Sequence, residues 1–208
     1  MDKKEVLRKI TDVSNYLYEK GLVPGKSGNV SFRFVANGSE NVAITPSGVS
    51  LKDVDEKNIV IVDMDGNKLN ESLENDKKAS SEVFMHINVY KKNDEVNGIV
   101  HTHSPVATGF AFAEEKIKRL EGFGTIKNPF IPFVEYATPG TMELAENVSK
   151  ALENEDVVLL KRHGIVACGE NLDDAFLLAE FVEETAKIQL VSSLLSRGQT
   201  QAHLKRSI

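Results

Sequence analysis

Two tight-turn signals in the first third of the chain limit its architecture more than any other feature. Asn37-Gly38 separates the alternating run Val30–Val35 (VSFRFV) from Val42–Thr45, and Asp65-Gly66 follows Ile59–Asp63. Both dipeptides favour two-residue turns between antiparallel strands, so a purely parallel sheet is excluded. Helical periodicity surrounds these hairpins. Val6, Ile10, Val13 and Leu17 recur at spacings of four and three ahead of Gly21, which ends that helix. A second helix is expected from about Ser80–Ser81, with Val83, Ile87 and Tyr90 on its buried stripe. Pro105 opens a short helix, Thr141–Leu152 gives another, and Asp173 to about Leu195 reads as a long final one. Between them Gly98–His103 (GIVHTH) and Val157–Lys161 (VVLLK) read as strands. The fold class is α/β, with a mixed, mainly antiparallel sheet covered by helices on both faces.

No repeat or long linker interrupts the 208 residues, and the most polar stretch, Asn70–Lys78, is too short to divide them. A single domain over residues 1–208 is expected, with a polar tail from about 197. A chain of this length buries roughly 70% of its unfolded surface, enough for a core without staples. The one cysteine, Cys168, permits no internal disulfide, and the start MDKKEVLRKI lacks an apolar targeting core. No apolar run reaches about 18 residues. A cytoplasmic location without membrane attachment is expected. The net charge of −6 argues against a general nucleic-acid binder.

Chemistry concentrates in the histidines, of which there are five. His101 and His103 stand two apart in one predicted strand, so their side chains share a face at its C-terminal end. His163 lies just past the other apolar strand, and Gly164 beside it allows a sharp turn or a close backbone approach. If the two strands are neighbours, three imidazoles meet. Three nitrogen ligands with an open fourth position is the pattern of a catalytic zinc site. Cys168 lies too far along the next strand to join. His86 shares a helix face with Glu82 four residues earlier, which reads more simply as an i,i+4 contact than as a ligand pair. His203 falls in the polar tail and reads as solvated.

Glu82 follows two serines at a predicted helix N-terminus. Such an N-terminus offers free backbone N–H groups to an anion, and Ser80 and Ser81 add hydroxyls, so a phosphate could sit there with Glu82 facing a metal. The plainer alternative, favoured on these residues alone, is that a serine caps the helix and Glu82 balances its dipole. Ser27-Gly28-Asn29 and Thr45-Pro46-Ser47-Gly48 are short polar loops that could donate to the same phosphate or be ordinary turns. Neither matches a nucleotide-binding fingerprint.

Taken together, Ser27-Gly28-Asn29-Val30-Ser31, Thr45-Pro46-Ser47-Gly48, Ser80-Ser81-Glu82, His101-Thr102-His103-Ser104, Tyr136-Ala137-Thr138-Pro139-Gly140-Thr141 and His163-Gly164 resemble the class II aldolases of the L-fuculose-1-phosphate aldolase type. These belong to the wider aldolase/adducin superfamily, and the resemblance runs from about Leu7 to Leu195. It implies a three-layer αβα fold and a divalent metal, usually Zn2+, held by His101, His103 and His163. It further implies that Glu82 is the acid/base carboxylate, and that Asn29, Ser47, Gly48, Ser80 and Ser81 hold the substrate phosphate. The implied reaction is reversible cleavage of a ketose 1-phosphate to dihydroxyacetone phosphate and an aldehyde such as lactaldehyde. The metal serves as electron sink, so no lysine Schiff base is needed. C4 homotetramers with active sites at subunit interfaces are the implied assembly. Where the relatives lend a tyrosine from a neighbouring subunit this chain has Glu121, and its C-terminal tail also departs from theirs.

The same fold hosts L-ribulose-5-phosphate 4-epimerases, in which an aspartate typically follows the two serines. Methylthioribulose-1-phosphate dehydratases share the metal site but look less similar over Tyr136–Thr141. An adducin-like interaction module would have lost the ligands that this chain keeps. A zinc hydrolase would ordinarily carry an Asp and a further His after His103, where Ser-Pro-Val stands.

Overall fold

The computed structural model describes residues 2–69, 77–120 and 128–206, with side chains to residue 196. Among them are helices α1 (Lys3–Glu19), α2 (Val83–Lys92), α3 (Pro105–Ala113), α4 (Met142–Ala151) and α5 (Leu172–Arg206). The strands are β1 (Asn29–Ala36), β2 (Ser39–Ile44), β3 (Val60–Asp63), β4 (Gly98–Thr102), β5 (Phe133–Val134), β6 (Val157–Leu160) and β7 (Gly164–Gly169). They form one seven-stranded sheet in the order β3-β2-β1-β4-β7-β6-β5. Every neighbouring pair is antiparallel except β5 with β6.

The expected hairpin closes on Asn37 and Gly38, both at positive φ, between the paired residues Ala36 and Ser39. Alternation along each central strand feeds two cores. Val100, Val157, Leu159, Ile165 and Ala167 point to one face, packed with Val6, Ile10 and Leu17 of α1, Ala107 of α3 and Ala179 of α5. Ile99, Val158, Leu160 and Val166 point to the other, packed with Ile87 and Tyr90 of α2 and Leu144 and Val148 of α4. The result is the three-layer αβα arrangement, with strands that are apolar on both faces at the centre of the sheet.

Three details differ from the sequence expectation. β4 and β6 are not neighbours, because β7 lies between them. His163 instead reaches β4 through the tight β6–β7 turn, since β7 itself pairs with β4. α2 starts at Val83, and Ser80 caps no helical turn: its Oγ accepts from the backbone N–H of Glu82 at 3.2 Å, in a serine turn ahead of the helix. α5 runs on to Arg206 through the stretch expected to be a tail, where Gln, Ala, Leu, Lys and Arg favour helix and only Gly198 opposes it.

Candidate metal centre and acid/base site

His101 is the last residue but one of β4, and its neighbour across the ladder is Val166 of β7. His103 follows just past the strand end, and His163 occupies the β6–β7 turn. The three rings lie at centroid separations of 4.9, 4.7 and 4.9 Å, each roughly edge to face. One nitrogen from each falls within 4.8 Å of the others. Gly164 makes this approach possible. A Cβ there would stand 2.3 Å from the Thr102 carbonyl oxygen and 3.1 Å from His103 Cδ2. Gly28, at φ +75°, is equally constrained, since a Cβ would meet the His101 carbonyl oxygen at 2.7 Å.

Burial holds all three imidazoles neutral. His101 is pushed down to about 4 by burial alone, and His103 to about 4 by burial and then by His101. His163 is pushed to about 3 by burial and by His101. Tautomers follow from the partners. His101 Nδ1 faces the Ile165 carbonyl oxygen at 2.8 Å; a carbonyl only accepts, so Nδ1 carries the proton and Nε2 is bare. That bare nitrogen lies 3.1 Å from His103 Nε2 and 3.3 Å from Glu82 Oε2. With neutral rings the approaches of Glu82 to His101 and to His163, the latter 3.6 Å, are not ion pairs. A lone pair faces a carboxylate oxygen instead, and both buried Glu82 Oε1 and His163 Nδ1 lack a hydrogen-bond partner. A cation between the rings would take the bare His101 Nε2 lone pair and relieve its approach to the Glu82 carboxylate. The 3.1 Å nitrogen separation is also near the roughly 3.3 Å spanned by two ligands about 2.05 Å from a tetrahedral ion. The residues therefore fit a divalent metal held by His101, His103 and His163.

Glu82 neither caps α2 with its side chain nor sits in solvent; it is buried. Its Oε2 accepts from Asn29 Nδ2 at 2.9 Å, across 53 residues of sequence. Glu82 thus stands at the N-cap position of α2 with its side chain turned onto β1. Asn29 Oδ1 meets His86 Nε2 at 2.5 Å, and His86 Nδ1 meets Ser31 Oγ at 2.6 Å. Ser31 Oγ in turn meets Tyr90 OH at 2.7 Å. His86 is thus neither a ligand nor a direct partner of Glu82; Asn29 stands between them. Burial drives His86 to about 3.

The loop carrying Ser47 and Gly48 is tied to the segment leading into Glu82. Ser47 N–H donates to the Lys78 carbonyl at 2.9 Å, and Ser80 N–H to the Thr45 carbonyl at 3.1 Å. Gly140, in the Tyr136–Thr141 motif, packs on Ser81, whose carbonyl oxygen a Cβ at 140 would meet at 3.2 Å. Ser47, Gly48 and Ser81 are exposed while Ser80 and Asn29 are buried. Cys168 pairs with Ile99 and is buried away from the imidazoles, with its thiol pushed up to about 12 by that burial. Glu121 lies outside the described residues, as do the side chains beyond residue 196, His203 included.

The profile of the family described as Class II Aldolase and Adducin N-terminal domain matches residues 8–190. The chain belongs to the class II aldolase family. An L-fuculose phosphate aldolase of Methanococcus maripaludis is 34% identical to this aldolase over 189 residues, covering 91% of this chain and 98% of the relative. That of Methanocaldococcus jannaschii is 34% identical over 197 residues, covering 95% and 100%. A solved L-fuculose 1-phosphate aldolase superposes with a TM-score of 0.83 at 34% identity, covering 94% of this chain and 89% of the other. This class II aldolase is accordingly an enzyme of the lyase class.

Sequence reasoning missed Ser31, Tyr90 and Glu183. The first two were foreshadowed: Ser31 lies on the polar phase of VSFRFV, and Glu82, His86 and Tyr90 recur every four residues. Glu183 of α5 gave no signal. Its buried carboxylate accepts from Val106 N–H at 3.1 Å and Ala107 N–H at 2.8 Å, fixing the N-terminus of α3 immediately after His103.

Proposed function

We propose that this class II aldolase reversibly cleaves a ketose 1-phosphate, L-fuculose 1-phosphate or a similar deoxyketose 1-phosphate, to dihydroxyacetone phosphate and an aldehyde such as lactaldehyde. The observation that carries the reading is the buried Glu82 carboxylate, anchored by one oxygen and set against the neutral imidazoles of His101 and His163 in the three-histidine cluster. The names of the relatives support the substrate class. His101, His103 and His163 hold the cation, and zinc suits three imidazoles with an open position. When bound it supplies Lewis acidity, drawing electron density from the oxygens of the sugar. In synthesis the Glu82 carboxylate removes the C3 proton; in cleavage a base takes the C4 hydroxyl proton as the C3–C4 bond breaks, and Glu82, carrying a proton, returns it to C3. Its partly dry setting keeps water from competing for that proton. Ser47, Gly48, Ser80, Ser81 and Asn29 bind the phosphate, through hydroxyl, amide and backbone N–H donors that need no net positive charge.

The same reading assigns residues 1–208 to a single domain, a cytoplasmic location and a C4 homotetramer. The exposed Leu177, Ile188, Val191 and Leu194 along α5 support an assembly that covers them. The test is a retro-aldol assay on a panel of ketose 1-phosphates, coupled to detection of dihydroxyacetone phosphate. Cleavage of at least one member is expected, lost with chelator and restored by zinc. A zinc-loaded protein that cleaves none of them would refute the reading.

A further inference from the structure

Behind Glu82 lies a file of side chains, Asn29, His86, Ser31 and Tyr90, each nine-tenths or more buried, of which the last three have no direct part in the reaction. Their hydrogen bonds can run in one direction only while Glu82 is ionised and His86 is neutral. A carboxylate only accepts, so Asn29 must turn its amide nitrogen to Glu82 Oε2 and its oxygen to His86. That oxygen only accepts, so His86 must donate from Nε2 and keep Nδ1 bare. Nδ1 then accepts from the Ser31 hydroxyl, and the Ser31 oxygen accepts from Tyr90 OH. No member has a free rotamer or flip that keeps every bond.

We propose that His86, Ser31 and Tyr90 are positioning residues for the aldol chemistry, locking the Asn29 amide so that it clamps Glu82 Oε2 and leaves Oε1 as the oxygen that exchanges the proton. Glu82 Oε1 is buried without a hydrogen-bond partner, on the side that faces His163. A neutral His86 with Nδ1 bare gives the direction above; an imidazolium would reverse only the Ser31–Tyr90 end and leave the bond to Asn29 unchanged. Fixing the carboxylate in this way confines its rotation without any contact between the three residues and the sugar. The assignment deepens the aldolase reading and rests on it for the kinetic arm of the test.

Two measurements separate the possibilities. In 15N-histidine-labelled, zinc-loaded protein at neutral pH, His86 is expected as the Nε2–H tautomer, identified by the signals lost in His86→Phe. An Nδ1–H tautomer, which leaves Nε2 bare towards Asn29, would overturn the proposal without reference to turnover. In the aldol assay His86→Phe is expected to retain full zinc content and a KM within about twofold, with kcat lower by roughly 10- to 100-fold. His86→Gln, which can present an N–H to Asn29, should recover part of that loss. Ser31→Ala, a single-atom deletion that serves if His86→Phe does not fold, should lower kcat in the same direction by less. Unchanged kcat in Ser31→Ala, or a raised KM at unchanged kcat in either variant, would show that the file does not act on Glu82. If wild type cleaves no ketose 1-phosphate, the functional reading fails, and the tautomer alone then decides the positioning chain.

Discussion

Gly164→Ala tests whether strand register assembles the imidazole cluster. The added Cβ would stand 2.3 Å from the Thr102 carbonyl oxygen, whereas C···O contacts ordinarily begin at about 3.3 Å, so the strands must part by about 1 Å. The obstacle is backbone in a paired ladder, Thr102 opposite Ile165, and no side-chain rotation relieves it. Overpacking of this kind costs about 1–3 kcal/mol. In a chain of this length each kcal/mol moves Tm by about 2–4 °C, so a Tm lower by about 2–12 °C is expected. The metal centre is affected more sharply. Residue 164 adjoins His163 and Thr102 adjoins His103, so the same displacement separates two ligands whose metal distances tolerate only about 0.2 Å. Zinc affinity should fall roughly 10- to 100-fold. Calorimetry of the metal-free protein and competition with a chromogenic chelator measure the two effects. Gly109→Ala is the control: a Cβ there meets nothing within 4 Å, in the interior of α3, so it should be neutral or slightly stabilising. If Gly164→Ala matched wild type in both Tm and zinc affinity, the packing argument for this turn would be wrong.

Glu82→Gln should keep stoichiometric zinc and lose about 100- to 10,000-fold in kcat, since its amide cannot exchange the C3 proton; full turnover would remove Glu82 from the chemistry. His103→Ala should lose bound zinc when assayed by metal analysis after gel filtration, and unchanged stoichiometry would mean the ligand set is wrong. Glu183→Ala leaves the part-buried N–H of Val106 and the buried N–H of Ala107 without an acceptor, at a cost of about 1–3 kcal/mol. Thermal unfolding should show a Tm lower by about 2–12 °C, with a matching wild-type value as the contrary result. His86, His101, His103 and His163 have folded-state values depressed to about 3 or 4 by burial. The unfolded chain therefore binds more protons between about pH 6.5 and those values. Stability of the metal-free protein is then complete above about pH 6.5 and declines as pH falls towards 4. A Tm series in chelator checks the sign, and a flat profile across that window would contradict the burial of these rings.

The sequence determined which residues could do chemistry and which elements would carry them. Period-two and period-3.6 patterns, with turns at Asn37-Gly38 and Asp65-Gly66, were enough to require a mixed sheet under helices. Spacing alone put His101 and His103 on one face, because side-chain direction in a strand is a local property. Whether His163 met them was not local. That depended on β7 pairing with β4 and on Gly164 admitting the Thr102 carbonyl, and strand order is set by the whole sheet. Glu82 shows the same division. Ser80-Ser81-Glu82 is a plausible helix start by every local rule, and only the packing of α2 over β1 turned the carboxylate onto Asn29. The buried file through His86, Ser31 and Tyr90, and the Glu183 clamp on α3, join residues tens of positions apart. The polar phase of VSFRFV and the recurrence of Glu82, His86 and Tyr90 every four residues marked the faces, but which distant partners they bond became visible only when the layers closed on one another.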